Sequence, residues 1–296
     1  MARYWEVYLL FIPVAVWFIT FCYVPMGGLI IAFKDFSPLR GIFDSPWVGM
    51  KNFVKLFTTP SFIVALKNTI VISALNLAIV FPVPIVFAIL LNELPWLRFK
   101  KMVQTVSYLP HFISWSVVAS LIYMLLAPST GVVNHVIEAF GGSPQNFLGM
   151  SRYFRTILVA SSVWESMGWS AIVYIAAISN VDEQLYEAAY VDGATRIKRI
   201  WHITLPGIRS TIAILLILQV GNILSTNFGQ IFALANDTVM DVAETIDYYI
   251  YRVGLGTSNN FSIATAAGMI KSLVGLIMVV LTNKMSKKIT DGEGIW

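Results

Sequence analysis

Six segments of this chain, roughly 8–33, 66–91, 107–127, 154–180, 208–234 and 263–283, are apolar for about 20 residues or more. At about 1.5 Å of rise per residue, a helix of that length crosses about 30 Å of hydrocarbon. Lipid offers no water to unpaired backbone amides, so each segment must close its hydrogen bonds within itself as a helix, unless strands close into a barrel. The alternating strands that build such a barrel are absent. The expected fold is an all-α integral membrane protein with six transmembrane helices in a single domain, 1–296. Composition agrees, with 57% of residues hydrophobic and 12% charged, against about 25% charged in a soluble domain.

Orientation follows from the basic residues. An even number of spans puts both termini on one side. With the N-terminus inside, the cytoplasmic parts hold 11 basic residues: Arg3, Arg98, Lys100, Lys101, Arg196, Lys198, Arg199, Arg209, Lys284, Lys287 and Lys288. The longer outer loops hold 8: Lys34, Arg40, Lys51, Lys55, Lys67, Arg152, Arg155 and Arg252. The excess places both termini and the loop at 181–206 in the cytoplasm. Topology thus accounts for the net charge of +4, and no Lys/Arg cluster with interleaved aromatics suggests a nucleic-acid partner. The apolar stretch after Arg3 exceeds a signal-peptide core and reads as a retained first span. Cys22, the single cysteine, excludes an internal disulfide or cysteine cluster.

Several chemistries are missing. No Gly-x4-Gly-Lys-Ser/Thr phosphate loop occurs, and GMIKS at 268–272 has the wrong spacing, so the chain does not bind ATP by that route. His111, His135 and His202 lie in three loops, and HVIE at 135–138 lacks a zincin's second histidine, so no metal is expected. No convergent catalytic set is visible.

The loop at 181–206 is polar, basic and mechanically specific. Asn180 with Glu183 resembles a capping box, opening a short helix that carries Leu185, Ala188 and Ala189. The two alanines leave backbone nearly bare for another surface, and Gly193 permits a turn at φ > 0. Asp192 is placed to cap a second helix with Ile197, Ile200, Trp201 and Thr204 on one face. Pro206 is expected to force Leu205 out of helical geometry. The loop fits EAA, three residues, Gly, nine residues, Ile-x-Leu-Pro at every fixed position: Glu187, Ala188, Ala189, Gly193, Ile203, Leu205 and Pro206.

That motif, with YVPMGGLIIAFKDFSP (23–38), SYLPHFISW (107–115), GNILSTNFGQIF (221–232) and GLIMVVLTNKMSKKI (275–289), resembles the permease subunits of bacterial type I ABC importers that take up oligosaccharides. The resemblance implies a multi-pass protein of the bacterial plasma (inner) membrane whose 181–206 loop is a cytoplasmic EAA coupling helix. In that reading Glu187 makes the polar contact with a partner ATPase and Gly193 the close turn. It also implies a heterodimer with a second homologous permease subunit, two ATP-binding subunits that hold the ATP and Mg, and an extracellular substrate-binding protein that delivers the oligosaccharide. A permease for a non-sugar solute is the alternative within that family, and a secondary carrier the alternative outside it.

Polar residues inside spans point to a transport path, since a charge at the bilayer centre costs at least about 2.5–3.5 kcal/mol. Glu165 and Lys271 both lie about 12–15 Å deep by helical rise. They can form a structural ion pair between the fourth and sixth spans, or contact sugar hydroxyls or a sugar carboxylate. Gln219, Asn222, Thr226 and Gln230 recur at helical spacing in the fifth span. Their amides suit sugar hydroxyls, and equally suit hydrogen bonds between helices. Trp169, one turn from Glu165, offers an aromatic face for the C–H side of a pyranose, or simply packs. In the outer segment 35–62, Met50, Phe53, Val54 and Phe57 share one helical face, expected to lie on the outer leaflet or on the bundle. With the loops at 128–153 and 236–262, this segment is a candidate landing surface for the binding protein.

Overall fold

The computed structural model describes residues 5–256 and 258–289; Arg3, counted above on the inner side, lies outside them. Among the described residues the chain is helical, apart from one isolated antiparallel bridge between Lys34 and Trp47. The main elements are α1 (Tyr8–Phe33), α2 (Lys51–Thr58), α3 (Pro60–Asn92), α4 (Leu97–Phe112), α5 (Trp115–Leu126), α6 (Val132–Ala139) and α7 (Ser151–Ser179). They continue as α8 (Glu183–Val191), α9 (Arg196–Gly207), α10 (Arg209–Gly221), α11 (Phe228–Leu234), α12 (Ile246–Gly254) and α13 (Phe261–Ile289).

Among the described residues three helices are long and apolar enough to cross a membrane: α1, α3 and the Phe261–Lys284 part of α13. Two bent pairs, α4 with α5 at 103° and α9 with α10 at 61°, raise the number to five if each pair is one span. The expected spans at 107–127 and 208–234 are therefore not continuous helices. The first bends at Ile113 and Ser114, whose backbones are extended after the Leu109–Phe112 turn. The second stops at Gly221 and resumes as α11. Over the expected 154–180 span runs α7, 29 residues and so about 43 Å long. Glu165 and the serines at 151, 161, 162, 166, 170 and 179 lower its hydropathy.

One proline in each of α1, α3 and α9 follows a common rule. Each helix widens into a π turn that ends two residues before a proline: Ile19–Tyr23 before Pro25, Asn76–Val80 before Pro82, and Ile200–Thr204 before Pro206. In each, the residue preceding the proline donates five positions back, Val24 to Ile19, Phe81 to Asn76 and Leu205 to Ile200. A proline lacks the N–H for the next rung and its ring presses on the carbonyl four back. The wider turn keeps the helix running past both problems.

The chain divides into two compact units. Among the described residues, one comprises 5–63, 246–256 and 258–273. Ala32, Phe53 and Ala266 form its core with Phe33, Met269 and Ile270 packed around them. Asn52 Nδ2 donates to the carbonyls of Ala32 and Lys34, both at 2.9 Å. That anchorage buries Asn52, Phe53 and Leu56 of α2 and leaves Met50, Val54 and Phe57 exposed. The apolar face expected from Met50, Phe53, Val54 and Phe57 is thus divided: Phe53 turns inward with Asn52 and Leu56, and the other three turn outward. In the same unit Lys271 forms an ion pair with Asp247.

The other unit comprises, among the described residues, 64–245 and 274–289. Its largest helix pair is α3 with α7, joined around Ile85, Ala88, Ile89, Ala171, Tyr174 and Ile178. Ala88 and Ala171 are fully buried. Small residues let helices approach where lipid supplies no hydrophobic drive. Gly168 of α7 lies directly against the Ser107 backbone of α4. Hydrogen bonds add to these contacts: Asn68 Nδ2 donates to the carbonyls of Asp241 and Glu244, and Arg155 donates to Asn68 Oδ1 at 2.8 Å.

Candidate functional site

In this second unit α3, α7 and α10 wall a cleft of about 510 Å³, within the roughly 300–1,000 Å³ of ligand sites. From α7 come Ser162, Glu165, Ser166, Trp169, Ser170 and Val173. Their spacing of three and four residues lines one face of an α-helix. Asn76 stands on the π turn of α3, where the widened backbone turns it to the cleft. Gln219 of α10 contributes, as do Asn222, Ser225 and Asn227 of the non-helical stretch after it. Asn227 also caps α11, its Oδ1 accepting from Gln230 N at 3.2 Å.

Glu165 is the one charged residue among these lining residues. Its Oε1 lies 3.1 Å from Nδ1 of His111, at the end of α4. The same imidazole stacks on Trp169, with centroids 4.8 Å apart and planes 10° apart, while Phe112 meets Trp169 edge-on at 5.4 Å. The wall therefore combines amides and hydroxyls, which donate and accept, with an aromatic ring and a carboxylate beside an imidazole.

Glu165 and Lys271, expected as a pair, each have another partner within their own unit. Glu165 faces His111, and Lys271 pairs with Asp247. Equal depth does not identify neighbours when five helices separate two residues in sequence. The stripe at 219, 222, 226 and 230 also divides. Gln219 and Asn222 line the cleft. Thr226 is buried and bonds Thr245 at 3.1 Å; Gln230, also buried, donates to Leu158 O and Ser161 Oγ, both at 2.8 Å, and accepts from Ser162. The helix ends at Gly221, so the spacing of three and four carries no face past that point. Asn76 and Asn227 carry no signal in the sequence, and His111 is considered there only as a metal ligand. The serine stripe 162–166–170, in phase with Glu165 and Trp169, was visible there but was not used.

The 181–206 loop is a second constellation, at the end of α7. Asp182, not Asn180, caps α8, its Oδ1 accepting from Gln184 N at 3.0 Å. Thr195, not Asp192, caps α9, accepting from Lys198 N at 3.4 Å. Both caps fall next to the helix starts, where the side-chain oxygen reaches the second or third free N–H. Gly193 has φ +73°. Ala194 N donates to Ala189 O at 2.8 Å and Gly193 N to Tyr190 O at 3.0 Å. These paired bonds are a Schellman motif, which needs a left-handed residue at the position of Gly193. Glu187 and Ala188 are exposed and Ala189 half-buried, flanked by exposed Leu185, Tyr190, Val191, Ile197 and Trp201.

The face expected to hold Ile197, Ile200, Trp201 and Thr204 is split by the π turn, which adds a residue per turn. Ile200 and Leu205 pack on the α3–α7 core. Thr204 is buried with its hydroxyl 2.9 Å from Tyr186 OH. Leu205 keeps helical angles, φ −62° and ψ −46°, contrary to expectation. The break comes after Gly207, at Ile208, because the π turn gives the Pro206 ring room.

The family described as binding-protein-dependent transport system inner membrane component matches residues 85–291. Over 289 residues the chain is 50% identical to the polygalacturonan/rhamnogalacturonan transport system permease protein YteP of Bacillus subtilis (strain 168), covering 98% of this chain and 89% of that one. It is 42% identical to Protein LplB of the same organism, covering 98% and 90%. Its structure is similar to a chain of a bacterial ABC transporter involved in the import of the acidic polysaccharide alginate, with TM-score 0.92 and 43% identity over 98% of this chain and 97% of that one. A chain of the alginate transporter in complex with alginate pentasaccharide-bound periplasmic protein gives TM-score 0.92 and 42% identity over 99% and 98%.

Proposed function

The chain belongs to the binding-protein-dependent transport system inner membrane components, and on that premise we propose that it imports an acidic oligosaccharide through the cleft walled by α3, α7 and α10. It is a permease subunit of a carbohydrate ABC importer, a membrane component whose ATPase is supplied by separate subunits. The acidic cargo is supported by two relatives at 43–50% identity whose names specify polygalacturonan or alginate. Amides and hydroxyls on the wall would exchange hydrogen bonds with sugar hydroxyls, and Trp169 would cover a ring's C–H face.

The subunit crosses the plasma membrane six times with both termini in the cytoplasm. The length of α7 supports the sixth crossing, and the excess of basic residues on the inner side supports the orientation. It works beside a second, non-identical permease subunit, two ATP-binding subunits carrying ATP and Mg, and an extracellular binding protein. Glu187, Ala188, Ala189 and Gly193 form the surface that meets an ATPase subunit, while Leu205 and Pro206 hold α9 against the bundle. One observation carries this reading: α7 holds the polar wall at its middle and leads directly into the α8–α9 loop. A push on that loop reaches the cleft along one continuous helix.

Uptake of a galacturonate oligosaccharide by proteoliposomes containing the assembled complex tests it. Gly193→Trp should insert normally, lose co-purification with the ATPase and lose uptake. Glu187→Ala should weaken both. Normal uptake by Gly193→Trp removes the coupling role.

A further inference from the structure

Building on the cleft as the sugar path, we infer that His111 is the positioning residue of its wall, holding Trp169 as a fixed platform for a pyranose ring. His111 is not among the residues lining the cleft. It sits in the Leu109–Phe112 turn, immediately before the 103° bend between α4 and α5. From there one imidazole touches two lining residues of α7: its ring lies parallel to Trp169 at 4.8 Å, and its Nδ1 is 3.1 Å from Glu165 Oε1. Phe112, the next residue, closes on Trp169 edge-on.

An exposed tryptophan on a helix otherwise hops between rotamers. With one aromatic neighbour stacked and a second at its edge, both from one turn, Trp169 is held in a single orientation. The turn itself is seated by the contact of Gly168 with the Ser107 backbone, where no side chain fits. Ser107 lies only four positions before His111, so the height of the imidazole over Trp169 is set by backbone contact. Trp169 is still 43% exposed, and it lines the cleft.

A ring's C–H face against a pre-oriented indole, with amides and hydroxyls around it, is the usual pairing of shape and polarity in a small-molecule site.

Equilibrium binding of a labelled galacturonate trisaccharide to the assembled complex in nanodiscs, without binding protein, tests the inference. His111→Ala should weaken binding about three- to tenfold, the range of an aromatic pairing. His111→Phe keeps the stack and should stay within about twofold, and His111→Gln, which keeps only a polar neighbour for Glu165, should resemble alanine. Trp169→Ala combined with His111→Ala should be no weaker than Trp169→Ala alone. Binding unchanged by His111→Ala, or losses that add in the double variant, overturns the inference. If His111→Ala does not assemble, the contrast of Phe with Gln decides, and equal binding by those two refutes the platform. Gln219→Ala separates this from the underlying reading. If it weakens binding while His111 variants do not, only the inference falls; if Gln219, Asn222 and Trp169 variants are all silent, the cleft is not the path and both fall.

Discussion

Replacing Gly168 by alanine tests how closely α4 is held to α7. A Cβ there would come within 2.8 Å of Ser107 Cβ and nearer still to the Ser107 carbonyl. Ordinary carbon contacts are about 3.5–4.0 Å, so the two backbones must part by roughly 1 Å. Overpacking of this kind costs about 1–3 kcal/mol. Here the obstacle is backbone, which cannot turn aside, and the upper half of that range applies. Alanine recovers about 1 kcal/mol through its helix propensity, leaving a net loss of about 1–2 kcal/mol. At about 2–4 °C per kcal/mol for a unit of this size, the assembled complex should melt about 2–8 °C lower. Two further glycines calibrate the result. At Gly28 a Cβ meets nothing within 4 Å, so Gly28→Ala should be neutral or slightly stabilising. At Gly193 space is equally open but φ is +73°, so alanine there costs about 1–2 kcal/mol from the left-handed backbone alone. If Gly168→Ala melts at or above the parent, the backbones are not in contact and the seating of the His111 turn loses its basis.

Lys271 and Asp247 are 20% and 16% exposed at their side chains, between the surface and buried limits for ion pairs. Lys271→Met or Asp247→Asn alone should lower stability by about 1–3 kcal/mol, and the double variant by less than either; melts of the three would show additive losses if the pair does not form. Gln219→Ala should impair oligosaccharide uptake with little change in melting. Gln230→Ala, which removes three hydrogen bonds to α7, those to Leu158 O and Ser161 Oγ and the one from Ser162 Oγ, should cost about 1–3 kcal/mol of stability; the reverse pattern would return Gln230 to the path.

Two kinds of information were local and therefore legible in the sequence. Apolar length fixes which segments are helices in lipid, because each must satisfy its own backbone. A glycine four positions beyond a pair of alanines marks a helix end with a left-handed turn, and Gly193 adopts it. Even the phase of the cleft stripe on α7 could have been read from Ser162, Glu165, Ser166, Trp169 and Ser170. Where the helices stop was less accessible. Hydropathy does not signal the end of α10 at Gly221 or the bend at Ile113, and Leu205 stays helical because the π turn at Ile200–Thr204 makes room for the Pro206 ring. Partner choice belonged to the tertiary structure altogether. Glu165 meets His111 across 54 positions of sequence and Lys271 meets Asp247 across 24, because burial rewards whichever opposite or polar group the packing brings within reach. Gln219 reaches the cleft while Gln230 holds the bundle, although the two are chemically the same. Side-chain type decides what a group can bind; only the arrangement of helices decides whether it meets a substrate or another helix.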